Sequence, residues 1–95
     1  MCFFGKGNYE TAAHCLKQAL LLSPSEWIIS YNLGLCCLQI GNFDNAAFHL
    51  TSVVNMKPDY APAYASLGLA LGKGLGDVRN ASVAFERSLA LSEYV

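Results

Sequence analysis

Ninety-five residues make one small domain or a stretch of a larger one, and 54% of them are apolar while only 14% are charged, against about 25% charged in a typical soluble domain. A small domain has a high ratio of surface to volume and needs more polar cover rather than less, so part of this surface is expected to lie under something else. A net charge of −1, with six Lys and Arg scattered singly along the chain, excludes the basic stripe that nucleic acid or an anionic membrane surface requires.

The chain opens on Met1-Cys2-Phe3-Phe4-Gly5-Lys6, which lacks the basic start and long apolar stretch of a signal peptide. No apolar run approaches the roughly 18 residues that span a bilayer. No membrane insertion is expected, and a cytoplasmic location is. The first element reads as a helical stub at about 1–5, closed by Gly5-Lys6-Gly7. Asn8 then stands as the N-cap of a helix over 8–22, which Ser23-Pro24 stops because proline cannot continue a helix. A third helix is expected over 26–39, broken at Ile40-Gly41, and Asn42 caps a fourth over 42–56 that ends at Lys57-Pro58. The fifth, over 60–73, runs into Gly74-Leu75-Gly76, and Asp77 caps the last, over 77–92.

These elements repeat. A shift of 34 residues lays Cys2 on Cys36, Gly7 on Gly41, Asn8 on Asn42, Tyr9 on Phe43, Ala12 on Ala46, Leu16 on Leu50 and Pro24 on Pro58, and then Leu33-Gly34 on Leu67-Gly68. One extra residue in the glycine-rich 72–76 stretch moves the shift to 35. After it Gly41 matches Gly76, Ala46 matches Ala81, Leu50 matches Phe85 and Val54 matches Leu89. Gly34 and Gly68 fall inside helices, where glycine costs up to ~1 kcal/mol against alanine; their use there is close approach of the paired helix. Ala12, Ala46 and Ala81 supply the matching small surface, and Tyr9, Phe43 and Leu50 fill the space around it.

The pattern Tyr31-Asn32-Leu33-Gly34, then Gly41-Asn42-Phe43-Asp44-Asn45-Ala46-Ala47, then Pro58 resembles the tetratricopeptide repeat. The resemblance covers essentially the whole chain and implies an all-α fold, an α–α superhelix of antiparallel helix pairs with about two and a half to three repeats. Residues 1–26 are a partial repeat, 27–60 a complete one, and 61–95 a repeat with one residue inserted in its inter-helix turn. Cys2-Phe3-Phe4, Cys15 and Trp27 lie outside the generic repeat and resemble tetratricopeptide subunits of the BBSome, a coat-like complex that moves membrane proteins into and out of cilia. That resemblance implies a scaffold whose partners are other subunits of a trafficking complex, near the cilium or basal body.

No catalytic, cofactor-binding or metal-binding residue stands out, and the chain is expected not to be an enzyme. Reduced Cys2, Cys15, Cys36 and Cys37 read as small buried apolar groups. Adjacent Cys36 and Cys37 point about 100° apart on a helix and cannot form half of a zinc site. His14 and Cys15 are likewise neighbours that face different ways, and His14 and His49 are expected on the solvated face of the second helices. Gly72-Lys73-Gly74-Leu75-Gly76 has the glycines of a phosphate loop but neither a preceding strand nor the Ser/Thr after the Gly-Lys pair. Asn80-Ala81-Ser82 is a formal glycosylation sequon inside a helix, and Glu10, Asp44 and Glu86 read as solvated charges.

The first helices of tetratricopeptide arrays line a concave groove. On helix 26–39 the core-facing set is Ile29, Ser30, Leu33, Gly34 and Cys37, which leaves Ile28, Tyr31, Asn32, Leu35 and Leu38 toward the groove. Phe4, Ala65 and Leu69 extend that stripe into neighbouring repeats. The alternative is that these residues pack within a longer superhelix. Tetratricopeptide domains that hold a chaperone's C-terminal carboxylate use clustered Lys and Arg with Asn; here Asn32 alone fits, with Tyr31, Pro62 and Ser66 where charge is needed. Two roles therefore stand side by side, a subunit-interaction scaffold and a generic adaptor for a short peptide or helix. Apolar Phe85, Leu89 and Leu91 and the remains of the first helix are expected to be uncovered, so that the chain self-associates through its ends.

Overall fold

The computed structural model describes residues 6–92, and among them there are five helices and no strand. They are α1 (Lys6–Leu22), α2 (Trp27–Ile40), α3 (Phe43–Met56), α4 (Ala61–Leu69), which runs on into a π turn (Ala70–Gly74), and α5 (Val78–Ser92). The stub expected at about 1–5 lies outside the described residues. Helix ends fall within one residue of expectation except at the start of α1 and at the end of α4, which gives way to the π turn at Ala70 instead of continuing as α-helix to 73. That helix begins at Lys6, so Asn8 lies inside it and is not its N-cap. Glycine at position 7 costs about 1 kcal/mol, too little to stop a helix packed along α2.

Each helix packs on its neighbours in the chain, so α2 lies between α1 and α3, and α4 between α3 and α5. A helix with partners on two sides is apolar nearly all round, and α2 (WIISYNLGLCCLQI) is just such a sequence. It buries Ser30, Leu33, Gly34, Cys36 and Cys37. Cys36 is buried, as expected of a reduced cysteine, although helical spacing leaves it out of the core-facing set; Ile29 belongs to that set by spacing and is only half-buried. The core cluster joins Ala13, Leu33, Cys36, Cys37, Ala46 and Ala70, with Tyr9, Ala12, Leu16 and Leu20 packed against it. Burial raises the Cys37 thiol pKa above its ordinary value, with the charge of Lys17 acting the other way. Cys15 departs from the buried expectation and is exposed, because two steps from buried Ala13 carry it about 200° round α1.

The two glycines inside helices serve close packing. A Cβ on Gly34 would lie 2.8 Å from Leu50 Cγ, and one on Gly68 would lie 2.9 Å from Phe85 Cζ. Ala46 is fully buried beside the first of these contacts, and Ala81, one helical turn before Phe85, is nearly so. Helix ends are closed by sequence-specific chemistry. Gly41 stands at φ 92°, its N–H donating to Cys37 O (3.0 Å), while Asn42 N–H also donates to Cys37 O (2.9 Å), the double closure that a left-handed glycine permits. Asp77 caps α5, accepting from Asn80 N at 3.3 Å and from Asn80 Nδ2 at 2.7 Å. Asn42 occupies the matching place before α3 without a side-chain bond.

Candidate functional site

The first helix of each described repeat, α2 over 27–40 and α4 over 61–69, contains no Asp, Glu, Lys or Arg. Their outward surface is therefore a neutral face of apolar and amide side chains. Ile28 (41% exposed) and Leu69 (49%) stand out from it; Asn32 is exposed, and Tyr31, Leu35 and Ala65 are half-buried. Ile28, Tyr31 and Leu35 recur at the i, i+3, i+7 spacing of one helical stripe. Leu38 does not continue it. Ten residues from Ile28 it has rotated about 80° off the stripe, and it packs against the core cluster. Phe4 lies outside the described residues.

Two further residues belong to this face and were not singled out for it. The α3–α4 turn brings Tyr60, the residue before α4, back onto α2. Its ring centroid lies 4.7 Å from that of Trp27 and 5.1 Å from that of Tyr31, the latter edge-on at 88°. Such tilted and edge-to-face pairs are the favoured aromatic geometries. Lys57 Nζ sits 5.8 Å from the Trp27 centroid and 3.8 Å from Asp59 Oδ1, so this cation is shared between a ring face and a carboxylate. Tyr64 Oη donates to Pro58 O at 3.1 Å across the same turn. Burial raises the Tyr31 phenol above its ordinary pKa and nearby Tyr60 adds to this, while a side-chain hydrogen bond with Ser66 pulls it down. Tyr31 thus ties α2 to α4. The i, i+4 spacing of Trp27 and Tyr31 carried the signal for the first partner; Tyr60 needed the turn geometry.

On the opposite side, a groove of about 390 Å³ runs between the end of α1 and α3, lined by Leu20, Pro24, Ser30, Phe48, His49, Ser52, Asn55 and Met56. His49, expected on a solvated face, is half-buried here. Burial lowers its pKa, and the charge of Lys17 lowers it further. His14 and the carboxylates Glu10, Asp44 and Glu86 are exposed as expected. Among the described residues no cluster of His, Cys, Asp or Glu has the makings of a metal site, and no helix is long and apolar enough to cross a membrane.

Residues 3–61 match the family model described as tetratricopeptide repeat. Over 93 residues, 98% of this chain, the sequence is 40% identical to BBSome complex member BBS4 of Bos taurus and covers 18% of that protein. The BBSome complex member BBS4 homolog of Drosophila melanogaster is 35% identical over 97% of this chain and 19% of its own length. The Hsp70-Hsp90 organizing protein of Triticum aestivum is 34% identical over 93% of this chain and 15% of its own. This chain thus spans under a fifth of the length of the relatives it matches. A neutral helical face, a repeat period of 34 residues and a family match across more than half of the sequence converge on a protein-interaction scaffold. The chain belongs to the tetratricopeptide-repeat family.

Proposed function

We propose that this chain is a segment of a BBSome-type subunit that binds other subunits of a ciliary membrane-protein trafficking complex through the face of α2 and α4. The location that goes with this role is the cytoplasm near the cilium or basal body. The observation that carries the reading is the absence of any charged side chain on 27–40 and 61–69. Apolar, uncharged surface of this kind is what a lasting subunit contact buries. Similarity to the BBS4 proteins of cattle and fly over nearly the whole chain supports the choice of complex.

The test is affinity purification of the full-length parent with mass spectrometry of the bound proteins, repeated on Ile28→Glu and Leu35→Glu variants. Leu38 is left out because a charge there would meet the core. Both variants should keep their helicity and lose BBSome subunits at least tenfold. Equal recovery from both would move the interface elsewhere.

Similarity to the wheat Hsp70-Hsp90 organizing protein favours a second reading, an adaptor that takes a short peptide or helix along the same face. A carboxylate clamp is not the form proposed, because neither first helix supplies a cation. An acidic C-terminal chaperone peptide titrated against the chain should leave the emission of Trp27, its single tryptophan, unchanged. A saturable response would reinstate the clamp.

A further inference from the structure

The residue inserted in the inter-helix turn of the third repeat is absorbed in the π turn, and its surroundings give it a purpose. Gly34 and Gly68 both receive a side chain from the following helix, and Gly41 and Gly76 both stand at positive φ (92° and 69°). Seven steps separate the first pair of landmarks and eight the second. The closing hydrogen bonds differ in the same way. Asn42 N–H reaches back five residues to Cys37 O, whereas its counterpart Asp77 N–H reaches back six, to Leu71 O at 2.8 Å. Leu75 N–H bonds Ala70 O at 3.2 Å, the five-residue reach of a π turn. The end of the first helix is thus closed by the same donor and acceptor positions in both repeats, with one more residue wound between them in the third.

The widened turn is packed from two sides. A Cβ on Gly74 would run into the Cβ and ring of Phe43, the first residue of α3, and one on Gly72 would lie 3.1 Å from Ala81 Cβ of α5. Ala70, where the turn begins, is fully buried. Lys73, between the two glycines, is exposed. Tyr9, the repeat counterpart of Phe43, instead packs against the core cluster that holds Cys36 and Cys37 on an uninterrupted α2. π turns lose α-helical hydrogen bonding and are uncommon, so a contact that depends on one is a candidate for what keeps it.

We infer that the Ala70–Gly74 π turn is a latch between repeats: the extra residue sets Gly74 beneath the Phe43 ring and so couples the second repeat to the third. The side chain of Lys73 takes no part; its contribution is length.

The test is a set of variants of the 95-residue chain, melted while helicity and Trp27 emission are followed. Gly→Ala in a helix ordinarily stabilises, but Gly74→Ala should lower Tm by at least 4–8 °C, about the shift that 1 kcal/mol produces in a domain of this size. In a Phe43→Gly background the same change should be neutral or raise Tm, because both the Cβ and the ring it collides with are gone. Lys73→Ala should melt with the parent. Deleting Lys73 should lower Tm and separate the helicity and Trp27 transitions, which in a coupled chain coincide. Should the deletion prevent folding altogether, the Gly74 and Phe43 pair still decides. An equal cost of Gly74→Ala in both backgrounds, or a Lys73 deletion that melts at or above the parent with coincident transitions, overturns the latch.

Discussion

Leu50 of α3 fills the notch over Gly34 and is fully buried, while Phe85 of α5, at the equivalent place over Gly68, remains 38% exposed. The same difference runs along the whole face. Val78, Ser82, Phe85 and Leu89 form an i, i+4, i+7, i+11 stripe on α5 and are all exposed; their counterparts on α3, Phe43, Ala47, Leu50 and Val54, are buried or half-buried. Both helices pair with the first helix of their own repeat, but α3 also has α4 and its π turn on the other side. Burial in a repeat is therefore set by its neighbour as much as by its own residues. Leu91, expected to be uncovered with Phe85 and Leu89, is half-buried.

The comparison is broken most forcefully at these two side chains. Leu50→Ala should cost about 2–5 kcal/mol in urea unfolding, the range for a filled core position. Phe85→Ala removes more carbon yet should cost less, since over a third of the side chain already meets water. A larger loss at Phe85, growing with protein concentration, would mean that a second copy covers α5, as expected from self-association through the ends.

Next come the glycines beneath them. Leu50 has nowhere to move, so Gly34→Leu should cost about 3 kcal/mol, at the upper end for overpacking. The Phe85 ring has open solvent to swing into, so Gly68→Leu should cost nearer 1 kcal/mol. Equal costs would mean that Phe85 is held in place as firmly as Leu50.

The caps give a smaller contrast. Asp77→Ala removes two side-chain hydrogen bonds and should cost about 1 kcal/mol. Asn42 makes no such bond, so Asn42→Ala should lower stability by only a few tenths of that in the same thermal melts.

The smallest effect concerns pH. His49 has a folded-state pKa below the ordinary 6.5, so the unfolded chain binds its proton more readily. Stability from this group is present above pH 6.5 and falls as the pH drops from there toward the folded value. A pH series of melts should show this slope, and His49→Asn should flatten it. No change of slope in that variant would place His49 in water after all.

The helices, their order and the glycine notches were legible because each rests on a local property repeated in sequence: proline stops, Asx caps and small residues spaced by 34. Asn8 misled because a capping residue after glycine looks the same whether or not the helix has already begun. Of the groove residues, Ile28, Asn32 and Leu69 are exposed, Tyr31, Leu35 and Ala65 are half-buried, and Leu38 packs against the core cluster. Spacing alone overlooked the rotation that ten residues accumulate. Trp27 and Tyr60 escaped because their contact joins residues 33 positions apart through a turn.

By itself, then, the sequence determined the all-helical repeat, the neutral first helices and the extra residue near position 73, since composition and period are properties of the chain. Only the tertiary structure decided where that residue went. A spare residue beside three glycines would sit equally well in a longer loop, and local preferences do not separate the two. Packing does: the Phe43 ring and Ala81 close on Gly74 and Gly72 from either side, and a π turn is the winding that places both bare backbones beneath them.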